Sequence, residues 1–332
     1  MKNAALVSFV VSSVMATAAT AQAQQPALVG IAVNGAAPSP FAPPSDATRD
    51  VVTPEPEAPP AQPYAPLFVG RSVNAGSGVR FDMTNAPFTK DAASGVASAM
   101  MVSGSYKITD GFAMGVRLGI DRVGMAGMDT KVGFLNPSIS GMYGWKLGRS
   151  FRVATALTTT LPAGSGGGNA GDQDLITAHK AASLARGAME GATFSVNDVT
   201  LGYAADFAYV DHGVTAQVGA QLTTAFRARG DQVQSDAYKV NSTYNLGVGY
   251  FLIPQLSLGA ELRYQRYVST PSSVEKDPTA RQNLSAGGGV RTHFAIAKSV
   301  WMRPGLSYAH GLVGPVEKAG YNMVQLDFPF SF

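Results

Sequence analysis

Cysteine is absent from the 332 residues, so neither a disulfide framework nor a thiolate metal site is available. Charge is scarce. Only 14% of the chain is Asp, Glu, Lys or Arg, against roughly 25% in a soluble domain. Helix-length apolar runs are missing beyond the first 23 residues, which excludes a chain that crosses a bilayer on helices. Too little polarity is present for a disordered chain, since 45% is hydrophobic. The net charge of +3 is small and dispersed, which argues against nucleic acid as a partner. The four histidines show no ligand spacing, and Gly164 to Gly168 lack the strand–turn–Lys context of a phosphate loop. No metal and no cofactor is expected.

What is present begins with an export signal. Lys2 supplies a positive start, Ala4 to Thr20 is uncharged and moderately apolar, and Ala21-Gln22-Ala23 forms an A-x-A cleavage site. Residues 1–23 read as a signal peptide with a mature start at Gln24. An uncleaved anchor fits less well, because the run is rich in Ala, Ser and Thr. Residues 24–66 then hold eleven of the twenty prolines. Proline removes the donor and fixes φ, so an extended periplasmic linker is expected, with one apolar patch at Leu28 to Val33.

From Leu67 the pattern turns to period two. Val214, Ala216, Val218, Ala220, Leu222 and Phe226 alternate with Thr215, Gln217, Gly219, Gln221 and Thr223. Leu256, Leu258, Ala260, Leu262 and Tyr264 alternate with Ser257, Gly259, Glu261, Arg263 and Gln265. Phe112, Met114, Val116, Leu118 and Ile120 alternate with Ala113, Gly115, Arg117, Gly119 and Asp121. Successive strand side chains point to opposite faces, so each segment has a greasy face and a polar or small one. Five short connections (Thr109–Gly111, Leu147–Ser150, Asp211–Gly213, Leu252–Gln255, Ala297–Lys298) alternate with six longer ones (Asn85–Gly95, Val123–Thr130, Ala163–Phe194, Ala228–Ala237, Val268–Ala280, Leu312–Gly320). That predicts twelve strands, the first within 67–84.

A β-sandwich would scatter its connection lengths. Strict alternation, strands near ten residues and two levels of aromatics instead predict an all-β fold: a transmembrane antiparallel up-and-down β-barrel over 67–332. Tyr106, Phe112, Tyr143, Trp145, Phe151, Tyr209, Tyr250 and Phe332 sit near the short turns. Phe226, Tyr238, Tyr264 and Tyr308 sit near the long loops.

The ending Tyr321-Asn322-Met323-Val324-Gln325-Leu326-Asp327-Phe328-Pro329-Phe330-Ser331-Phe332 resembles the last strand of bacterial outer-membrane β-barrels. The resemblance implies an outer-membrane location, contact with lipid and lipopolysaccharide, and reading of Phe328, Phe330 and Phe332 by the barrel assembly machinery. Pro329 departs from that pattern and is expected to weaken pairing with the first strand. Phe134 to Trp145, Leu161-Pro162-Ala163-Gly164 and the Leu246 to Leu262 hairpin resemble outer-membrane transporters associated with aromatic-compound degradation, including the phenol meta-pathway. That likeness implies small aromatic solutes.

If the apolar face meets lipid, the other lines the lumen. Arg117, Asp121, Arg152, Asp206, Glu261, Arg263, Arg291, Arg303 and Asp327 fall there. Two readings stay open: an arginine-biased pathway for polar or anionic small solutes, and a closed, salt-bridged interior in a structural or adhesive barrel. The loop 163–194 carries a helix-compatible stretch from Asp174 to Met189, with Asp172 or Asp174 as its cap. It is either a lid in the mouth or an external loop. An outer-membrane hydrolase would need a histidine beside a serine at the external rim. Only His310 is placed there, and Ser307 lies on the opposite face. An autotransporter translocator needs a passenger and a helix before the barrel, which the prolines of 24–66 deny. No enzyme is expected.

Overall fold

The computed structural model describes residues 71–332 except 91–92, 128, 170, 188–189 and 232–235. The signal-peptide and linker segments, 1–23 and 24–66, lie outside the described residues.

Among the described residues, fifteen strand segments form one antiparallel sheet. They are β1 (Gly78–Lys90), β2 (Ala93–Lys107), β3 (Phe112–Met125), β4 (Lys131–Phe134), β5 (Ser138–Leu147), β6 (Phe151–Thr160), β7 (Asp198–Asp211), β8 (Val214–Arg227), β9 (Tyr238–Ile253), β10 (Leu256–Tyr267), β11 (Gln282–Thr292), β12 (Phe294–Ala297), β13 (Val300–Met302), β14 (Gly305–Val313) and β15 (Asn322–Ser331). β4 and β5 both lie along β3. β13 and β14 both lie along β15, and β12 pairs with β13 as β11 pairs with β14. The segments therefore make twelve staves, as the connections predict. β1 pairs with β15 from Gly78 opposite Ser331 to Asn85 opposite Val324. That seam closes the ring of staves into a barrel.

The outside is greasy because period-two alternation leaves one face of every stave with nothing to pack on. Val116, Leu157 and Tyr203 are more than half exposed, while Asp121 and Asp206 across the same walls are buried. An apolar surface of this extent suits a bilayer rather than water. Tyr143 packs on Trp145 at the short-turn end, with ring centroids 4.6 Å apart, and Phe226 on Tyr238 at the long-loop end, at 5.2 Å. These two levels are where amphipathic rings favour the membrane interface.

The first strand begins at Gly78, within the expected 67–84, and residues 71–77 run inside the barrel. Two expectations need correction. Asn85–Gly95 is not a long loop: β1 and β2 stay in register to Lys90 opposite Ala93. Polarity inverts there. Ala86 and Phe88 face inward and are buried, while Pro87 and Thr89 face out. Pro329 leaves the β1–β15 register intact. A strand residue directs its N–H and C=O to the same neighbour, and the Pro329 carbonyl accepts from Arg303 N–H at 2.9 Å. Its missing donor thus faces the break between β13 and β14, not β1.

The core lies inside the long-loop half of the barrel. The described residues of 163–194 fold inward there as a plug. Helix α1 (Gln173–Ala185) is capped by Asp172, whose carboxylate accepts from Leu175 N–H at 3.0 Å. A single turn, α2 (Gly191–Phe194), follows. Leu175, Ala178, Ala182, Ala185 and Phe194 of the plug join Ala97, Ala99 and Met101 of β2, Ala309, Met323 and Tyr321 in one buried cluster. The wall opens at Leu135–Pro137 to stitch the plug in. Asn136 N–H donates to Thr193 O at 2.8 Å, the Asn136 amide nitrogen to Ser195 O at 2.7 Å, and Gly164 N–H to Asn136 Oδ1 at 2.9 Å.

Candidate functional site

Below the plug, at the short-turn end, lies a cavity of about 670 Å³. Arg71, Arg80, Arg117 and Arg303 line it, with Asp206 and Trp301. The segment before β1 crosses this vestibule as a strap. Arg71 Nε donates to Asp206 Oδ2 at 2.8 Å and its Nη1 to Gln221 at 2.7 Å, while Gln217 donates to the Arg71 carbonyl at 3.0 Å. Val73 anchors it, buried with Ala154, Ala208 and Val210.

The vestibule's roof is a chain of charges. Arg186, at the C-cap of α1, bonds Glu190 through Nε and Nη2, each at 2.9 Å, and also bonds Asp82 of β1. Arg117 Nη1 reaches Glu190 Oε1 at 3.0 Å and its Nη2 lies 3.7 Å from Asp82. Arg80 links Asp82 to Asp327, and Arg291 grips Asp327 at 2.8 and 3.1 Å. Higher in the plug, His179 Nδ1 meets Asp121 Oδ2 at 2.6 Å and its Nε2 meets Ser165 O at 3.0 Å. Gly133 makes room for that imidazole, because a side chain at 133 would collide with the ring.

Of the nine residues expected in the lumen, Arg117, Asp206 and Arg303 border the vestibule. Asp121 is buried against His179. Arg152 is buried and donates to the carbonyls of Arg149 and Phe151 at 2.9 and 2.8 Å. Arg263 is sealed behind the plug, with Nη1 3.4 Å from Arg186 O. Arg291 and Asp327 bind each other with no exposure. Glu261 is half-buried on the same inner face.

Sequence reading missed Arg71, Arg80, Asp82, Arg186, Glu190 and the role of His179. Arg80 and Asp82 alternate with Val79, Phe81 and Met83, a signal visible once the strand's start is placed. Arg186 and Glu190 are four apart, the spacing of a helical ion pair. A serine–histidine contact was also missed. Ser257 Oγ lies 2.8 Å from His293 Nε2, whose ring packs on Phe251 with centroids 4.7 Å apart. Ser257 has no exposed surface, so no substrate reaches that hydroxyl. His310 faces outward, bonded to Asn322 at 2.9 Å.

Glu190 has a titration consequence. Burial alone would raise its carboxyl, but Arg117 and Arg186 outweigh that and hold it down to about 2. A depressed carboxyl stabilises the docked plug fully above its free value near 4.5 and loses that contribution as pH falls through about 2. The plug should therefore stay seated from neutral pH down to about 4.5. Protease nicking of loop 163–194 across a pH series checks this; release already at pH 5 or 6 would contradict it.

No model of a known protein family matches the chain, and no curated protein does. Solved structures similar to it include the NanC porin (10% identity, TM-score 0.43, 76% of this chain and 98% of that one). The KdgM porin (10%, 0.41, 76% and 99%) and LpxR from Salmonella typhimurium (8%, 0.39, 76% and 100%) are also similar. Likeness at this level transfers no residue roles, and the aromatic-degradation resemblance gains no family match.

Proposed function

We propose that this chain is a bacterial outer-membrane channel for small polar and anionic solutes, entered through the vestibule and obstructed at its other end by the plug. The observation that carries this is a surplus of guanidiniums at one cavity in a barrel whose exterior is apolar: among the described residues Arg71, Arg80, Arg117 and Arg303 line it, against the one lining side-chain carboxylate of Asp206. Cations fixed on low-dielectric walls concentrate anions. In this reading Arg71, Arg80, Arg117 and Arg303 set the field. The buried pairs at Asp121, Arg152, Arg291 and Asp327 hold the wall, with Arg263 and Glu261 on its inner face. Small aromatic acids are the solutes to try first, since Trp301 gives the vestibule an aromatic surface. Lipid and lipopolysaccharide surround the barrel, and the assembly machinery reads Phe328, Phe330 and Phe332. The sealed Ser257–His293 pair supports a non-enzymatic role.

A second reading has an observation of its own. The apolar cluster around α1 fills the long-loop half, as a permanently closed structural or adhesive barrel would require. Planar-bilayer recording separates the two. Stable, anion-selective steps are expected, and Arg117→Ala with Arg303→Ala should lower the anion-to-cation permeability ratio severalfold. Silence from correctly folded protein would favour the closed barrel.

A further inference from the structure

Arg117 is placed where the plug and the vestibule meet. Its side chain is 24% exposed and lines the cavity, yet one of its nitrogens bonds a carboxylate belonging to the plug. Its Nε is buried with no hydrogen-bond partner among the described residues. Ser103 of β2 and Ser138 of β5 stand directly opposite it in register, and both line the same cavity. A planar fork with a free donor, on a wall that carries two serines into the same cavity, has the chemistry of a carboxylate receptor. Its present occupant is Glu190.

Glu190 can leave without stranding a charge. Its bonds to Arg186 are internal to the plug, so the two residues would withdraw as a neutral pair. Asp82 would keep Arg80 and Arg117 within 3.8 Å. Arg186 and Asp82 would part, and Arg117 would lose its close carboxylate, which a solute's carboxylate would restore.

We propose that Arg117, Ser103 and Ser138 form a binding site for a small organic carboxylate, that Glu190 occupies it as an internal stand-in, and that an entering carboxylate displaces Glu190 and loosens the plug. This rests on the channel reading and adds the ligand class and the trigger.

The test uses benzoate as probe on the full barrel. The chain has two tryptophans, and Trp145→Phe leaves Trp301 in the vestibule as the reporter. Benzoate should change Trp301 fluorescence saturably. Glu190→Gln should tighten the apparent affinity about tenfold, because a weaker occupant blocks the site less of the time. Arg117→Ala should abolish the response, and Arg117→Lys, which keeps the charge but not the fork, should weaken it. In bilayers, benzoate on the vestibule side should raise the open fraction of the parent and not of Arg117→Ala. Equal affinity in parent, Glu190→Gln and Arg117→Ala overturns the proposal. So does an equal response to chloride, or bound benzoate that leaves an active channel's gating unchanged. Binding that Glu190→Gln tightens, in a barrel that never conducts, supports the site and defeats the channel reading.

Discussion

Asp327→Ala is expected to cost the barrel about 3–5 kcal/mol, the range for stripping one partner from a buried ion pair. Asp327 and Arg291 have no exposed surface and share two hydrogen bonds, and Arg80 adds a third contact at 3.2 Å. These residues tie β15 to β11 and β1, at the seam that closes the barrel. Removing the carboxylate leaves the Arg291 charge in a site with no exposed surface. Asp327→Asn should cost less, since its carbonyl still accepts. Replacing both partners together, Arg291→Met with Asp327→Leu, should recover much of the loss, because burying two charges carries its own penalty. Urea titration in lipid vesicles reads all three. A loss under about 1 kcal/mol for Asp327→Ala would show a seam held by its backbone ladder alone.

Ala182→Phe is expected to weaken the plug's seating, so that it opens more often, and to raise mean conductance severalfold. Ala178, Ala182 and Ala185 present a face of methyl groups to Ala97, Ala99 and Met101, and Ala182 has no exposed surface. A phenyl ring there forces an overpacking cost of about 1–3 kcal/mol. The wall's ladder closes around the barrel without the plug, so the strain falls on the docking of α1, whose bonds to Asp121 and Asp82 still seat it for most of the time. Thr177→Phe, on the exposed side of the same helix, is the control and should leave both conductance and the urea midpoint unchanged. If Ala182→Phe instead unfolds the barrel at the same current level, the plug is part of the wall's stability and not a separable element.

Most of the barrel was legible in the sequence, because a wall between lipid and a polar interior writes itself as period two. Val116 and Arg117 are neighbours in the chain and opposites in space. The pattern failed where that premise failed. Along Asn85 to Lys90 the inner face touches the plug's apolar core, so Ala86 and Phe88 point inward and the segment loses its wet–dry contrast. The plug's helix was legible from its spacing and from Asp172. Its destination was not, because nothing local says that Glu190 meets Arg117 or that Arg186 meets a carboxylate 104 residues away. Arg71 escaped for the same reason: its partner lies 135 residues on.

The stitching at Leu135–Pro137 and the bond from Gly187 N–H to Tyr321 Oη at 2.9 Å set an order of events during assembly. The plug stands midway in the chain, and its helix packs on β1, β2, β3 and β4, all made before it, while Ala309, Tyr321 and Met323 from the last staves complete the seat. That seat is whole only when the two ends have met. A nascent barrel is thus a leaky sieve until closure completes, and seating of the plug is the step that makes it tight.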